Sequence, residues 1–201
     1  MKIIENRAGV DIRVLNTAAE ALREGQIIIY PTDTLYALGC DALNNRAIER
    51  LCRIKGINPD KNTLAIVCGS LSQAAEYARI DNFAFRLLKH YLPGPFTFIL
   101  PASTALPKIF KGRKTVGIRI PDSPLDTSLA TELGNPIMTT SIQTLEDIVD
   151  LQSIAELYKN HSDITLCIDG GDIRDIPSTV IDITDSRDPK LIRQGLGIFE
   201  D

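Results

Sequence analysis

The sequence predicts an α/β fold: a mixed parallel and antiparallel sheet with flanking helices. Helix and strand signals alternate along most of its 201 residues. The C-terminal part then turns strand-rich around a hairpin signal. No internal repeat, low-complexity tract or long linker divides the chain, and its length suits one domain with a core of ordinary size. The apolar runs are short and strand-like, far below the ~20 residues that cross a bilayer. No basic start leads into an apolar stretch, so the expectation is a cytoplasmic protein without a signal peptide.

The elements follow in order from local signals. Thr17, with Glu20 three residues on, reads as a capping box, and Gly25 closes a helix over 17–24. Residues 26–30 read as a buried strand ending at Pro31. Residues 45–55 carry apolar Ile48, Leu51, Cys52 and Ile54 at helical spacing, with Gly56 as the stop. A second buried strand spans 64–68. Helices over 70–78 and 81–91 follow, the latter halted by Pro93-Gly-Pro95. Strands are expected at 96–100, 116–120 and 137–140, with a helix over 124–133 between the last two. A helix over 151–159 precedes a strand over 164–168. Strands at 179–183 and 191–193 flank the turn Asp185-Ser-Arg-Asp-Pro189 as a hairpin.

Composition excludes several function classes. Aromatics make up 5% of the chain and Trp is absent, which disfavours base stacking on aromatic platforms. The cysteines, Cys40, Cys52, Cys68 and Cys167, form no C-x-x-C, and His90 and His161 lack metal-ligand spacing. Buried structural thiols are the favoured reading, with a Cys–His nucleophilic pair as the alternative. No H-E-x-x-H, G-x-S-x-G or phosphate-loop pattern occurs, and Asp169-Gly-Gly-Asp172 reads as a turn because its carboxylates would repel phosphate.

Charge is distributed unevenly around a net −4. Residues 1–81 balance, residues 82–121 hold seven basic and no acidic side chains, and residues 122–201 stand at −11. A basic segment inside an acidic chain points to a local anion site, against the plainer reading of a solvated face. The cluster Lys108, Lys111, Arg113, Lys114 runs into Thr115-Val-Gly-Ile-Arg-Ile120. Alternation there puts Arg119 on the side of Thr115 and Gly117, opposite Val116, Ile118 and Ile120. A phosphate-bearing ligand or RNA suits such a place.

Polar groups also gather at strand ends. They lie in Pro31-Thr-Asp-Thr-Leu-Tyr-Ala-Leu-Gly39, Thr139-Thr-Ser141, Ser178-Thr179 and Arg193-Gln-Gly195. Each can serve as a turn cap, but four together suggest one shared cavity. Arg53 and Lys55 have a sufficient explanation as cations offsetting a helix dipole.

Taken together these segments resemble the YrdC/YciO family from about residue 9 to 197. The matching pieces are Tyr30-Pro-Thr-Asp-Thr-Leu-Tyr-Ala-Leu-Gly-Cys40, Leu51-Cys-Arg-Ile-Lys-Gly56, Pro93-Gly-Pro-Phe-Thr-Phe98, Thr115-Val-Gly-Ile-Arg-Ile-Pro121, Thr139-Thr-Ser141, Pro177-Ser-Thr-Val-Ile-Asp182 and Ile192-Arg-Gln-Gly195. The resemblance implies a single YrdC-like domain over 1–201: a twisted mixed sheet with a large, basic, concave cavity. Active members condense L-threonine, bicarbonate and ATP, with Mg²⁺, to threonylcarbamoyl-AMP and pyrophosphate for tRNA modification. By matching motif, Thr32, Arg119, Thr139 and Thr179 are expected on the amino-acid side. Lys55, Thr115, Ser141 and Arg193 are expected on the nucleotide or phosphate side, with Lys55 and Arg119 stabilising charge. No side-chain nucleophile is needed.

The chain departs from the active pattern at two motifs. Where active members typically show K-x-R and S-x-N, it has Lys55-Gly-Ile57 and Ser141-Ile-Gln143. Ile57 removes a charge and a bidentate fork. With Tyr36-Ala-Leu-Gly-Cys40 and Asn62-Thr-Leu64, this resembles the YciO branch. Two alternatives to the synthase stay open: a double-stranded RNA-, tRNA- or ribosome-associated protein, and another nucleotide-related enzyme on the same cavity.

Overall fold

The computed structural model describes residues 1–7, 9–112, 114–142, 148–149, 151–174 and 176–200. The chain opens with β1 (Lys2–Glu5), α1 (Ile12–Arg23), β2 (Ile27–Pro31), β3 (Tyr36–Asp41), α2 (Asn45–Lys55) and β4 (Ala65–Val67). It continues through α3 (Leu71–Tyr77), α4 (Asn82–Tyr91), β5 (Phe96–Pro101), a 3-10 turn (Lys108–Lys111) and β6 (Thr115–Arg119). Then come α5 (Pro124–Leu133), β7 (Ile137–Ser141), β8 (Ile148–Val149), α6 (Leu151–Tyr158), β9 (Ile164–Asp169) and β10 (Ile173–Arg174). The hairpin of β11 (Thr179–Asp182) and β12 (Lys190–Arg193) is the last of the named elements.

Ten strands form one mixed sheet in the order β1-β9-β2-β3-β7-β4-β6-β5-β11-β12, and β8 pairs with β10 apart from it. Parallel pairs (β1/β9, β2/β9, β4/β6, β5/β11) mix with antiparallel ones (β2/β3, β3/β7, β4/β7, β5/β6, β11/β12). The α/β architecture and its late hairpin match the expectation. No described helix is long and apolar enough to cross a membrane.

Helices pack on both faces. On one face, Val14, Leu15, Ala18 and Leu22 of α1 meet Leu125 and Leu129 of α5 over Ile28, Tyr30, Val67 and Ile137. On the other, Ile48 and Leu51 of α2, Leu88 of α4 and Ile154 of α6 join Ile27, Ile29, Phe98 and Ile118. Each fully buried Ile or Leu contributes roughly 1.5–3 kcal/mol. Along β6 the alternation is as expected, with Val116, Ile118 and Ile120 buried in the core opposite Gly117 and Arg119. The α1–α5 layer spans only part of its face. Beyond it, from β7 across β4, β6 and β5 to β11 and β12, the sheet carries a hollow instead of a helix.

Two local expectations need correction. The first helix begins at Ile12, capped by the Asp11 side chain, not at Thr17. Thr17 Oγ1 donates to Arg13 O at 2.7 Å within the helix, a bond that satisfies this hydroxyl without a cap. The segment after Pro31 is a loop only as far as Leu35, because Tyr36–Asp41 forms a strand buried throughout. The four thiols are buried and free, as favoured. Burial raises their pKa values, to about 12 for Cys68 and Cys167, which suits packing rather than nucleophilic work.

Candidate functional site

The hollow is a cavity of about 290 Å³. Its floor is made by small residues in register: Ala65 lies beside both Thr139 and Gly117, and Gly117 beside Ile99. A side chain on Gly117 would fill it, since a Cβ there would stand 3.0 Å from Thr97 Cγ2 and 3.2 Å from Ala65 Cβ. The walls come from Thr34 and Leu35 after β2, Ile57 and Asn62–Thr63 after α2, and the strand ends of β7, β11 and β12.

Arg119, Thr139, Ser141 and Arg193, four side chains picked out from sequence, converge on this cavity. Arg119 is buried and donates through Nη2 to Asp33 Oδ1 at 2.7 Å and Thr34 Oγ1 at 3.1 Å. Its Nε has no partner among the described residues. Asp33 Oδ2 accepts the Asp122 N–H at 3.0 Å. Thr139 Oγ1 accepts from Tyr30 OH at 2.9 Å, which orients its hydroxyl from beneath the sheet's helical cover. Arg193 donates to Ser178 O at 2.8 and 3.2 Å, and Ser178 Oγ in turn lies 2.9 Å from Thr97 Oγ1. Burial, and then the positive charge of Arg119, lower the Arg193 pKa.

The other expected residues stand around the cavity rather than on its wall. Thr32 Oγ1 donates to Leu35 O at 2.7 Å and accepts the Thr34 and Leu35 N–H groups, forming the turn that presents Asp33 and Thr34. Thr179 is fully buried. Its hydroxyl donates to Gly197 O and accepts the Gly195 N–H, fastening the segment after β12. Thr115 Oγ1 lies 3.1 Å from Thr63 Oγ1, a wall residue. Lys55 ends α2, half-buried, and desolvation lowers its pKa. Lys108 and Lys114 are exposed, and among the described side chains of the basic stretch it is Arg119 that lines the cavity. Arg113 and Gln143 lie outside the described residues.

Two polar side chains of this region have weak sequence signals. Thr97 sits between Phe96 and Phe98, so alternation alone turns it away from the core. Asp126, in the first turn of α5, reads from sequence as a carboxylate beside a helix N-terminus. In the structure it is fully buried, and neither carboxyl oxygen has a partner among the described residues. Burial holds its pKa well above the usual carboxylate range, opposed by Arg119 and reinforced by Asp33.

The arrangement offers two guanidinium groups, several hydroxyls and a small-residue floor, which together suit an anionic, hydroxyl-bearing ligand. It does not fit a magnesium ion held by protein carboxylates. Among the described residues no three His, Cys, Asp or Glu side chains gather as a metal site, and Asp33 is already engaged by Arg119 and the Asp122 N–H.

Comparison with known proteins is consistent with this geometry. The Sua5/YciO/YrdC family model, described as "Telomere recombination", matches residues 20–195. YciO of Escherichia coli K12, an uncharacterized protein, is 39% identical over 92% of this chain and 90% of its own. The crystal structure of E. coli YciO superposes with a TM-score of 0.86 at 36% identity, covering 98% and 95% of the two chains. The threonylcarbamoyl-AMP synthase of Vibrio vulnificus YJ016 is 33% identical over 90% of this chain and 98% of its own. P. abyssi Sua5, solved in complex with L-threonine, matches at TM-score 0.86 and 33% identity, covering 97% of this chain and 58% of that one.

Proposed function

Because this chain belongs to the Sua5/YciO/YrdC family, we propose that its cavity binds L-threonine and an adenine nucleotide and carries out threonylcarbamoyl-AMP synthase-type chemistry. The observation that carries the reading is the convergence of Arg119, Thr139, Ser141 and Arg193 on one hollow. A relative solved with L-threonine, at 33% identity, adds to it.

In this reading Arg119 meets the threonine carboxylate, and Thr139, oriented by Tyr30, meets its polar groups. Thr32 and Thr179 act on that side by shaping the turn and the C-terminal segment that border it. Ser141 and Arg193, with Thr115 and Lys55 behind the wall, serve the nucleotide side. The amine of threonine and bicarbonate form a carbamate with loss of water. A carbamate oxygen then attacks the α-phosphorus of ATP, and pyrophosphate leaves. Magnesium, carried by the nucleotide substrate, would supply charge neutralisation, and no described carboxylate cluster of this chain is arranged to hold it. The protein contributes position and charge, and removing one such charged contact costs about 2–4 kcal/mol of transition-state stabilisation.

Calorimetric titration with L-threonine tests the binding half. Saturable binding that falls at least about tenfold in Arg119→Ala is expected. Binding unaffected by Arg119→Ala would remove the carboxylate assignment.

A further inference from the structure

We propose that the groove between α4 and the turn joining β11 to β12 binds a small phosphate monoester with an aromatic or apolar body. The groove, about 650 Å³, is lined by Phe83, Arg86, Leu87 and Tyr91 of α4 and by Arg187 and Pro189 of the turn. α4 packs on the sheet face opposite the hollow, and the groove shares no lining residue with the cavity. A ligand here is therefore independent of the threonine and nucleotide reading. Arg86 opens the segment 82–121 with its seven basic and no acidic side chains, a segment the cavity uses only through Arg119 among its described basic side chains.

Two guanidinium groups from distant parts of the chain meet over one ring. Arg86 Cζ stands 4.6 Å and Arg187 Cζ 5.1 Å from the centroid of Phe83. Ring contact positions both cations without using their N–H donors. The aspartates around Arg187 have partners of their own. Asp81 accepts the Phe83 and Ala84 N–H groups and the Ser186 hydroxyl, Asp185 accepts the Arg187 N–H, and Asp188 pairs with Lys190. None of the three lines the groove. The 2.7 Å bond from Ser186 to Asp81 also ties the turn to the start of α4, so the two arginines stand on joined elements.

The rest of the groove is an apolar wall. Phe83 is 44% exposed, an aromatic ring left open to solvent beside the two cations. Tyr91 is anchored, with its hydroxyl donating to Glu200 O at 3.2 Å and its ring packed on Phe96 and Phe199. A few fixed polar groups on an apolar wall are the usual make-up of a small-molecule site. A phosphate monoester carries about −1.5 to −2 near neutral pH, which two guanidinium forks can match. A carboxylate brings only one charge.

The test is calorimetric titration of the whole chain with phenyl phosphate at low, fixed ionic strength, with inorganic phosphate and phenol as its two halves. Saturable phenyl phosphate binding is expected, with Kd below about 1 mM and with each half at least about tenfold weaker. Arg86→Gln and Arg187→Gln change exposed side chains, so both are expected to keep the wild-type thermal midpoint. Each is expected to weaken phenyl phosphate by about tenfold. Unchanged affinity in both folded variants overturns the assignment to this groove. Inorganic phosphate binding as tightly as phenyl phosphate overturns the role of the apolar wall. No saturable binding of phenyl phosphate to the wild-type chain up to about 10 mM overturns the inference whatever the variants do, and leaves the L-threonine titration to be judged separately.

Discussion

The Arg119 guanidinium and the Asp33 carboxylate meet at 2.7 Å, with side chains 7% and 8% exposed, across 86 positions of sequence. This contact ties the loop after β2 to the end of β6 and fixes one rim of the cavity. A charge buried this deeply is tolerable only with its partner present. Asp33→Ala is therefore expected to lower unfolding free energy by about 3–5 kcal/mol, read from urea midpoints at neutral pH. A loss below about 1 kcal/mol, the range of an exposed pair, would contradict the burial of this contact.

Asp126 sets a pH dependence of opposite sense to most carboxylates. Its pKa is raised by burial in the folded protein, so its contribution is fully present below the unfolded value, about 3.9. That contribution is lost as pH rises towards the folded value, because the unfolded chain releases the proton that the folded one keeps. Each such proton is worth about 1.4 kcal/mol per pH unit. Asp126→Asn removes the titration, so the variant is expected to gain stability relative to wild type as pH rises above the unfolded value of about 3.9. Parallel stability curves would show that Asp126 ionises as easily folded as unfolded.

Thr179 is expected to act through structure. Its hydroxyl joins the Gly195 N–H and Gly197 O; Thr179→Val leaves the half-buried Gly195 N–H without its acceptor, while Gly197 O keeps Gln194 Nε2 at 2.7 Å. A loss of about 1–3 kcal/mol is expected for the group left unsatisfied. Thr179→Ser, which keeps the hydroxyl, is expected to stay close to wild type. If Thr179→Val weakens L-threonine binding with no change in its urea midpoint, the hydroxyl contacts ligand directly instead.

Much of this was legible in the sequence because it is local. The apolar spacing and Gly56 mark α2 and its end, and the structure shows a left-handed Gly56 at φ 65° and adds the Asn44 cap. The helix expected over 124–133 is α5, and the structure adds its Ser123 cap and its Gly134 close. β3 was not legible: it is buried on both faces, so it lacks alternation, and it follows the turn residues Thr32, Asp33 and Thr34 directly. At the site, strand alternation indicates which way Arg119 points. Its partnership with Asp33 depends on bringing β6 beside the loop after β2, and no local spacing encodes that. The burial of Asp126 is hidden for the same reason, since the groups that act on it, Arg119 and Asp33, come from distant parts of the chain.

The central claim is most directly tested by incubating the purified protein with ATP, L-threonine, bicarbonate and Mg²⁺ and analysing the mixture by mass spectrometry. Threonylcarbamoyl-AMP in the wild-type reaction, absent with Arg119→Ala, is the expected result. No adenylate product, from a folded protein that binds neither L-threonine nor nucleotide, would contradict it.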